Sequence, residues 1–92
     1  MSDHRFLVEL APAAERELRK LPANAAARLR GPILALGADP RQQGASALTG
    51  TPFLRLRVGD LRVVYLVDDA HQLVVVLRVA RRAESTYRRL PL

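Results

Sequence analysis

The sequence predicts an α+β domain of two layers, a helical hairpin packed on a small, mainly antiparallel sheet. Residues 12–36 carry apolar side chains at helical spacing, whereas residues 53–79 carry them at the two-residue period of strands. The predicted element order is β-α-α-β-β-β-α, in which the last helix is a short one at residues 83–89. Separation of the helices from the later strands is typical of α+β folds. We therefore expect residues 1–92 to form one domain with a single core.

The amino-acid composition and the charge narrow the functional classes. The chain has no cysteine, so neither disulfides nor thiolate metal sites are available. It carries a net charge of +6, and Lys20 is the one lysine among 15 basic residues. A charge of this size on so short a chain predicts a polyanionic or acidic partner. An arginine bias in codon usage is an alternative reason for the number of arginines, but it accounts less well for their positions.

The chain shows neither a long apolar segment nor a recognisable targeting segment. No stretch approaches the roughly 20 apolar residues that a membrane span requires. The N-terminus lacks the apolar run of a signal peptide. We therefore expect a cytoplasmic protein without a membrane partner.

The first half of the sequence predicts one strand followed by two helices. The strand covers His4–Leu10, and the first helix runs from Pro12 to about Leu21, because proline fits the first turn of a helix. A second helix begins near Ala23. Its predicted apolar side, at helical spacing, consists of Leu29, Ile33 and Leu36.

A Gly31-Pro32 pair lies inside the second helix. Because Pro32 has no N–H to donate to the carbonyl of Arg28, the pair is expected to kink or split the helix. Residues 41–52 follow and are predicted to form a loop, with Leu48 anchored in the core.

The second half predicts a hairpin that carries arginines at alternate positions. If Gly59-Asp60 forms a two-residue loop, Arg57 lies directly opposite Arg62 on the next strand. Arg55, Arg57 and Arg62 then share one face of the hairpin, because side chains alternate along a strand. The other face carries Leu56, Val63 and Tyr65. Like charges at opposed positions destabilise a hairpin, so we expect an anion to bind between these arginines.

The last strand is predicted for Gln72–Val79, whose run of Leu and Val is typical of a central strand covered on both faces. Arg81 or Arg82 at its end and Tyr87 beyond it extend the cationic cluster. A tyrosine beside an anion site can stack on a nucleobase or donate its hydroxyl proton. The alternative interpretation is a row of solvated arginines beside a core tyrosine. For Arg78, a salt bridge or a position at the rim is the stronger interpretation.

The sequence lacks the residue patterns of a metal site, a phosphate-binding loop or a paired-carboxylate site. His4 and His71 are far apart and have no ligand spacing. No glycine-rich phosphate loop follows a strand into a helix. The acidic residues occupy mostly helix-surface and turn positions, which does not support a paired-carboxylate site. We expect neither a metal nor a cofactor.

Several short motifs occur in a characteristic order. They are Val8–Arg16, Leu18–Pro22, Asp39-Pro40-Arg41, Gly44, Leu48–Gly50, Leu54–Tyr65, Val79–Arg82 and Tyr87. No single motif is specific, but their order and spacing together are. Through them the sequence resembles, over nearly its whole length, the RelE/ParE superfamily of bacterial toxins, the toxic halves of toxin–antitoxin pairs.

The resemblance implies a metal-independent mRNA endoribonuclease that inhibits translation. In the RelE-like branch, mRNA is cleaved, typically in the ribosomal A site, when the 2′-hydroxyl attacks the adjacent phosphate and leaves a cyclic phosphate end. In that branch, basic residues bind and stabilise the phosphate and a tyrosine lies against the base. The residues of this chain at the matching positions are Arg55, Arg57, Arg62, Arg82 and Tyr87. Arg78 and Arg81 are expected to bind RNA.

Two departures from the family pattern affect the expected chemistry. Arg55 and Arg57 stand where the best-known members have lysines, and arginine does not serve as a general base near neutral pH. The stretch from Val79 to Tyr87 varies in length among members, and Arg82 is the favoured match over Arg81. The proton acceptor is therefore unassigned, and catalysis is expected to be mainly positional and electrostatic.

The resemblance also implies a cognate antitoxin as a partner, besides mRNA and the ribosome, with DNA contacted only through the antitoxin complex. A surface this basic suits an acidic, flexible segment that folds as it binds, with an amphipathic helix in an apolar groove beside the sheet and acidic side chains that reach the arginines. Inhibition is expected either from covering Arg55, Arg57 and Arg82 or from displacing the short terminal helix that carries Tyr87. Two alternatives within the superfamily are a ParE-like inhibitor of DNA gyrase and a catalytically inactive co-repressor. The ParE branch generally lacks the full set of basic residues and the terminal tyrosine, so this sequence favours the ribonuclease.

Overall fold

Two helices pack against one face of a five-stranded sheet in the computed structural model, which describes residues 5–81. The elements are β1 (Leu7–Leu10), α1 (Pro12–Lys20), α2 (Ala23–Ala35), β2 (Ala45–Ala47), β3 (Leu54–Val58), β4 (Leu61–Asp68) and β5 (Leu73–Arg81). The strand order is β1-β5-β4-β3-β2, in which only the β1–β5 pair of this described sheet is parallel. The predicted α+β class with a mainly antiparallel sheet is confirmed. The predicted helix at residues 83–89 lies outside the described residues.

The helical hairpin forms where the apolar spacing predicts it. Pro12 occupies the first turn of α1, and Ala11 gives no side-chain cap. On α2, Ala25, Leu29 and Ile33 are buried against the sheet. No helix within residues 5–81 is long and apolar enough to cross a membrane.

A kink or a split of α2 was expected at Gly31-Pro32, and the split is wrong, since one uninterrupted helix runs from Ala23 to Ala35. Gly31 removes one part of the steric cost of Pro32. A proline clashes with the Cβ of the residue before it, and glycine has no Cβ. The helix is also secured from outside, because Gln42 Nε2 donates a hydrogen bond to the Pro32 carbonyl at 3.2 Å.

The strand boundaries differ from the predicted ones at three places. Residues 41–52 are not all loop, because β2 pairs with the edge of β3. The first strand begins at Leu7, since the N–H of Phe6 bonds to the Gly37 carbonyl at 2.7 Å instead of to β5. The last strand extends two residues past Val79, because Arg62 and Leu61 of β4 still pair with it. His4, where the first strand was expected to begin, lies outside the described residues.

The core lies between the helices and the sheet, and Tyr65 is its largest fully buried side chain. Its hydroxyl donates a hydrogen bond to the carbonyl of Pro40, and burial raises the pKa of the phenol above its ordinary value. The segment after α2 is fixed further by Arg41. The backbone N–H of Arg41 donates to Asp39 at 3.2 Å, and its guanidinium pairs with Asp69 at 3.2 Å. These contacts give the Asp39-Pro40-Arg41 motif a structural role.

Candidate functional site

The β3–β4 hairpin places arginines on the side of the sheet that faces away from the helices. Gly59-Asp60 forms the two-residue turn, and the φ of +61° at Gly59 is a conformation that favours glycine. Arg57 lies directly opposite Arg62, which confirms the predicted register. We call the surface that carries Arg55, Arg57 and Arg62 the arginine face.

Arg57 and Arg62 bring two positive charges together at one pair of positions. Side chains directly opposed on antiparallel strands have Cβ atoms about 4.5–5.5 Å apart, so like charges there repel. Arg57 is exposed, and no carboxylate within residues 5–81 forms an ion pair with it. A phosphate would remove the repulsion, because guanidinium groups bind phosphate oxygens in pairs.

Arg55 is held more firmly than Arg57. It is half-buried, and its NH2 group donates a hydrogen bond to Ser46 Oγ at 3.2 Å. Ser46 lies directly opposite Arg55 on β2, a strand that the sequence predicted as loop. Ser46 is therefore a neighbour of the site that sequence reasoning missed, and the short Ala-Ser-Ala run gives no strong signal for it.

An apolar cluster adjoins the arginines on the same face. Phe53 and Val64 are buried, and Leu48, Leu66 and Leu77 pack against them. Val64 lies directly opposite Arg55, so the cationic and apolar parts of the face are continuous. The predicted anchoring of Leu48 is confirmed, but it anchors in this cluster rather than in the core beneath the helices.

The side chain of Arg78 forms a salt bridge with helix α1. Its backbone lies opposite Val64, yet its Nε donates a hydrogen bond to Glu17 of α1 at 2.9 Å. The other carboxylate oxygen of Glu17 accepts the N–H of Val79 at 2.7 Å. Only 17% of the Arg78 side chain is exposed, and the bond to Glu17 raises its pKa. The salt bridge expected for Arg78 is present, and RNA binding by this residue remains a prediction.

Arg81 lies on the opposite side of the sheet from the arginine face. It pairs with the buried Leu61, and its NH1 group is 3.1 Å from Asp60 Oδ2. The other oxygen of Asp60 is 3.3 Å from Arg28 of α2. The residue that faces Arg62 from β5 is Ala80.

Three of the predicted site residues are thus brought together, and two are placed elsewhere. Arg55, Arg57 and Arg62 form the arginine face, whereas Arg78 and Arg81 are engaged by carboxylates. The remaining two predicted residues, Arg82 and Tyr87, lie outside the described residues.

His71, the histidine within residues 5–81, lies away from the arginine face. His71 is in the β4–β5 turn, with its Nδ1 2.8 Å from Asp68, at the opposite end of β4 from Arg62. His71 lowers the pKa of Asp68 through this hydrogen bond. Among residues 5–81, no group of three or more His, Asp or Glu side chains is arranged to hold a metal ion.

A second surface feature, an apolar groove, lies on the helical side of the molecule. It has a volume of about 430 Å³, and Leu34, which lines it, is 65% exposed. Arg19 and Arg30 add positive charge to its wall. The apolar lining consists of Val8, Leu10, Leu18, Ala26, Ile33 and Leu34.

Comparison with known proteins gives a consistent set of relatives. A family profile described as ParE toxin of type II toxin–antitoxin system, parDE, matches residues 8–86. The chain is 36% identical, over an alignment of 94 positions, to the toxin RelE of Mycobacterium tuberculosis. The alignment covers 97% of this chain and 93% of that protein. It is also 36% identical over 88 residues to the toxin RelG of the same organism, covering 91% and 98%.

Solved structures give the same result. The crystal structure of the toxin–antitoxin complex RelBE2 from M. tuberculosis contains a chain that superposes with a TM-score of 0.78 at 30% identity. The superposition covers 87% of this chain and 94% of that one. Both the sequence relatives and this structure match almost end to end, so the likeness extends over the arginine face and both helices.

Proposed function

Because this chain belongs to the RelE/ParE superfamily of toxins of type II toxin–antitoxin systems, we propose that it is an mRNA endoribonuclease of the RelE-like branch. It cleaves mRNA on the ribosome without a metal, in the cytoplasm, and so inhibits translation. The observation that carries this proposal is the directly opposed pair of Arg57 and Arg62, with Arg55 on the same face of the sheet. The two RelE and RelG relatives, each 36% identical, favour this branch over a gyrase inhibitor.

The proposed reaction is attack of an RNA 2′-hydroxyl on the adjacent phosphate. The 2′-oxygen forms a bond to phosphorus, and the bond from phosphorus to the 5′-oxygen breaks. One proton leaves the 2′-hydroxyl, and one is delivered to the departing 5′-oxygen. Negative charge accumulates on the phosphate oxygens in the transition state, where fixed cations stabilise it most.

The arginine face supplies charge rather than a base. Arg57 and Arg62 can each donate two hydrogen bonds to the phosphate oxygens, and Arg55 is already oriented by Ser46. Arginine keeps its proton near neutral pH, so these three residues act as positioning and electrostatic groups. The adjoining apolar cluster around Phe53 and Val64 excludes water from one side and strengthens these charge interactions. Arg82 and Tyr87 are proposed to complete the site, as a further phosphate contact and a base contact.

A cleavage assay tests the proposal. A defined mRNA is incubated with the purified protein, on programmed ribosomes and as free RNA with EDTA, and the products are mapped. We expect cleavage on the ribosome, with 2′,3′-cyclic phosphate ends on the upstream products. Products that carry a 3′-hydroxyl end, or no cleavage in either setting, would contradict the proposed reaction.

The matched family profile, which is described as ParE, favours a second candidate function, inhibition of DNA gyrase. A supercoiling assay with purified gyrase separates the two candidates. The ribonuclease proposal expects no inhibition of supercoiling at concentrations that cleave mRNA. Inhibition of supercoiling without mRNA cleavage would instead assign the chain to the gyrase-inhibiting class.

The proposed protein partner is a cognate antitoxin that presents an acidic, amphipathic segment. The M. tuberculosis structure is of a toxin–antitoxin complex, which supports such a partner. The groove beside Leu34 offers apolar surface, and Arg19 and Arg30 match acidic side chains on the partner. We assign the antitoxin helix to this groove and propose that DNA is contacted only through the resulting complex.

A further inference from the structure

Asp60 joins three separate elements through its two carboxylate oxygens. Its Oδ1 is 3.3 Å from the NH2 group of Arg28 on α2. Its Oδ2 is 3.1 Å from the NH1 group of Arg81 at the end of β5. Asp60 itself belongs to the β3–β4 turn, so this bridge ties that turn to one helix and to the last described residue of the sheet.

The bridge is close in sequence to the proposed site at two points. Within the hairpin, Asp60 lies between Arg57 and Arg62, whose direct opposition depends on the turn. At the other end of the bridge, Arg81 immediately precedes Arg82. Asp60 therefore contacts the end of β5 and belongs to the turn that joins the two arginine-bearing strands.

The bridge also neutralises a negative charge close to the proposed phosphate site. Asp60 is two residues from Arg62, and a carboxylate turned toward the arginine face would repel a phosphate. In the structure this carboxylate is engaged by Arg28 and Arg81, and Arg81 lies on the helical side of the sheet. Desolvation is the largest single effect and opposes the ionised form, but a backbone hydrogen bond and the two guanidinium groups together lower the pKa of Asp60. The carboxylate is thus ionised at neutral pH.

Stability alone does not account for such a bridge. Half of the Asp60 side chain is exposed, as are 53% of Arg28 and 45% of Arg81. Exposed ion pairs contribute little to the free energy of unfolding, because solvent screens them. The bridge does, however, join three chain segments, the β3–β4 turn, α2 and the end of β5.

We propose that Asp60 is a positioning residue for RNA cleavage. The Arg28–Asp60–Arg81 bridge holds the β3–β4 turn against α2 and the end of β5, and so keeps Arg57 and Arg62 opposed at the proposed phosphate site. This inference rests on the proposed ribonuclease function and assigns a role to the one acidic residue of the β3–β4 turn.

The test compares Asp60→Asn with a matched control, Asp69→Asn. Asp69, like Asp60, lies in a turn of the sheet and pairs with an exposed arginine, Arg41. It lies at the other end of β4, away from the arginine face. Both variants raise the net charge by one, so nonspecific attraction to RNA changes equally. We expect Asp60→Asn to lower kcat at least tenfold with KM within twofold of wild type. Asp69→Asn should leave both constants within twofold.

Two further variants distinguish a bridge from a local effect of Asp60. Arg81→Ala should reproduce the loss in kcat, and the double variant with Asp60→Asn should be no slower than the slower single variant. Arg81→Lys keeps a cation opposite Asp60 and should recover most of the activity. Independent, multiplicative losses in the double variant would overturn the proposal.

Amide hydrogen exchange gives a readout that does not depend on catalysis. In Asp60→Asn, exchange at Ala80 and Arg81 should become faster than in wild type, whereas Asp69→Asn should not change it. If the wild-type protein cleaves no RNA, the proposed function fails, and exchange alone decides whether the bridge holds β5. Equal exchange and equal kinetics in the two variants would overturn the positioning role.

Discussion

At the arginine face, each guanidinium group has a different environment although all three belong to one hairpin. Arg57 is exposed, Arg62 is half-buried opposite it, and Arg55 is half-buried with a bond to Ser46. Arginines that were only solvated would gain from separation, since opposed like charges repel. In the proposed site, a bound phosphate would offset this repulsion.

Tyr87 is the residue for which two kinds of contact give different predictions. If its ring stacks on a base, Tyr87→Phe keeps most of the activity and Tyr87→Ala loses about ten- to a hundredfold, since stacking contributes roughly 1–3 kcal/mol per base. Single-turnover cleavage rates of the two variants measure this. Equal losses in the two variants would show that the hydroxyl, not the ring, is the working group.

Tyr65 has a different role, because it is fully buried and its hydroxyl donates to the Pro40 carbonyl. Tyr65→Phe removes the donor and leaves that carbonyl without this bond, which should lower the free energy of unfolding by about 1–3 kcal/mol. Urea denaturation measures the change. Cleavage per folded molecule should stay within twofold of wild type, and an unchanged unfolding midpoint would contradict the structural assignment.

Among the elements, β5 extends past the end of β1, and α1 supplies its hydrogen-bond partner there. The last pair between β1 and β5 joins Leu10 and Val76, and beyond it Glu17 binds both the Val79 N–H and Arg78. Glu17→Gln keeps an acceptor but removes the charge that Arg78 faces. Because the pair is only partly buried, we expect destabilisation of about 1–3 kcal/mol, below the 3–5 kcal/mol of a fully buried pair.

The control for this prediction is Glu15→Gln, an exposed change on the same helix. It should shift the free energy of unfolding by less than about 0.5 kcal/mol. Equal stability of the two variants in urea denaturation would show that the Glu17–Arg78 contact does not support the sheet.

The elements that the sequence predicted correctly are those with strong local signals. The hairpin register follows from alternation and from Gly59-Asp60, and both helices follow from apolar spacing and prolines. The strand β2 was missed because Ala45–Ala47 has little strand propensity and forms only by pairing with β3. Pro32 does not split α2, and Gly31 removes the part of its steric cost that arises from a preceding Cβ.

Within the site, the sequence predicted the face that Arg55, Arg57 and Arg62 share. It did not predict which carboxylates pair with the other arginines. Arg78 and Arg81 are engaged by Glu17 and Asp60, partners 61 and 21 residues away. Such contacts depend on tertiary placement, which periodicity does not report. The apolar cluster around Phe53 was missed for a similar reason, since its members come from two strands, β4 and β5, and from the loop between β2 and β3.

For the whole molecule, the two proposed binding surfaces lie on opposite sides of the sheet. The arginine face turns away from the helices, whereas the groove is lined by β1, α1 and α2. We therefore predict that substitutions can change antitoxin binding and RNA cleavage separately.

Leu34→Asp tests the proposed antitoxin surface. Leu34 is 65% exposed, so the fold should tolerate the change, whereas antitoxin affinity should fall at least tenfold because burying a leucine contributes about 1.5–3 kcal/mol. Leu7→Asp is the control, since Leu7 is 63% exposed but does not line the groove. Calorimetric titration with the cognate antitoxin measures both. Equal affinities of the two variants would place the antitoxin elsewhere.

The central claim is that the arginine face stabilises a phosphate during cleavage. The most direct measurement is the single-turnover rate of mRNA cleavage by Arg57→Ala, compared with Arg16→Ala, which removes an equal charge from an exposed position on α1. We predict that Arg57→Ala lowers the rate by about 10²–10³, the usual effect of losing one group that stabilises transition-state charge. Arg16→Ala should remain within twofold of wild type, and Arg82→Ala should resemble Arg57→Ala. Wild-type rates in a folded Arg57→Ala variant would contradict the claim.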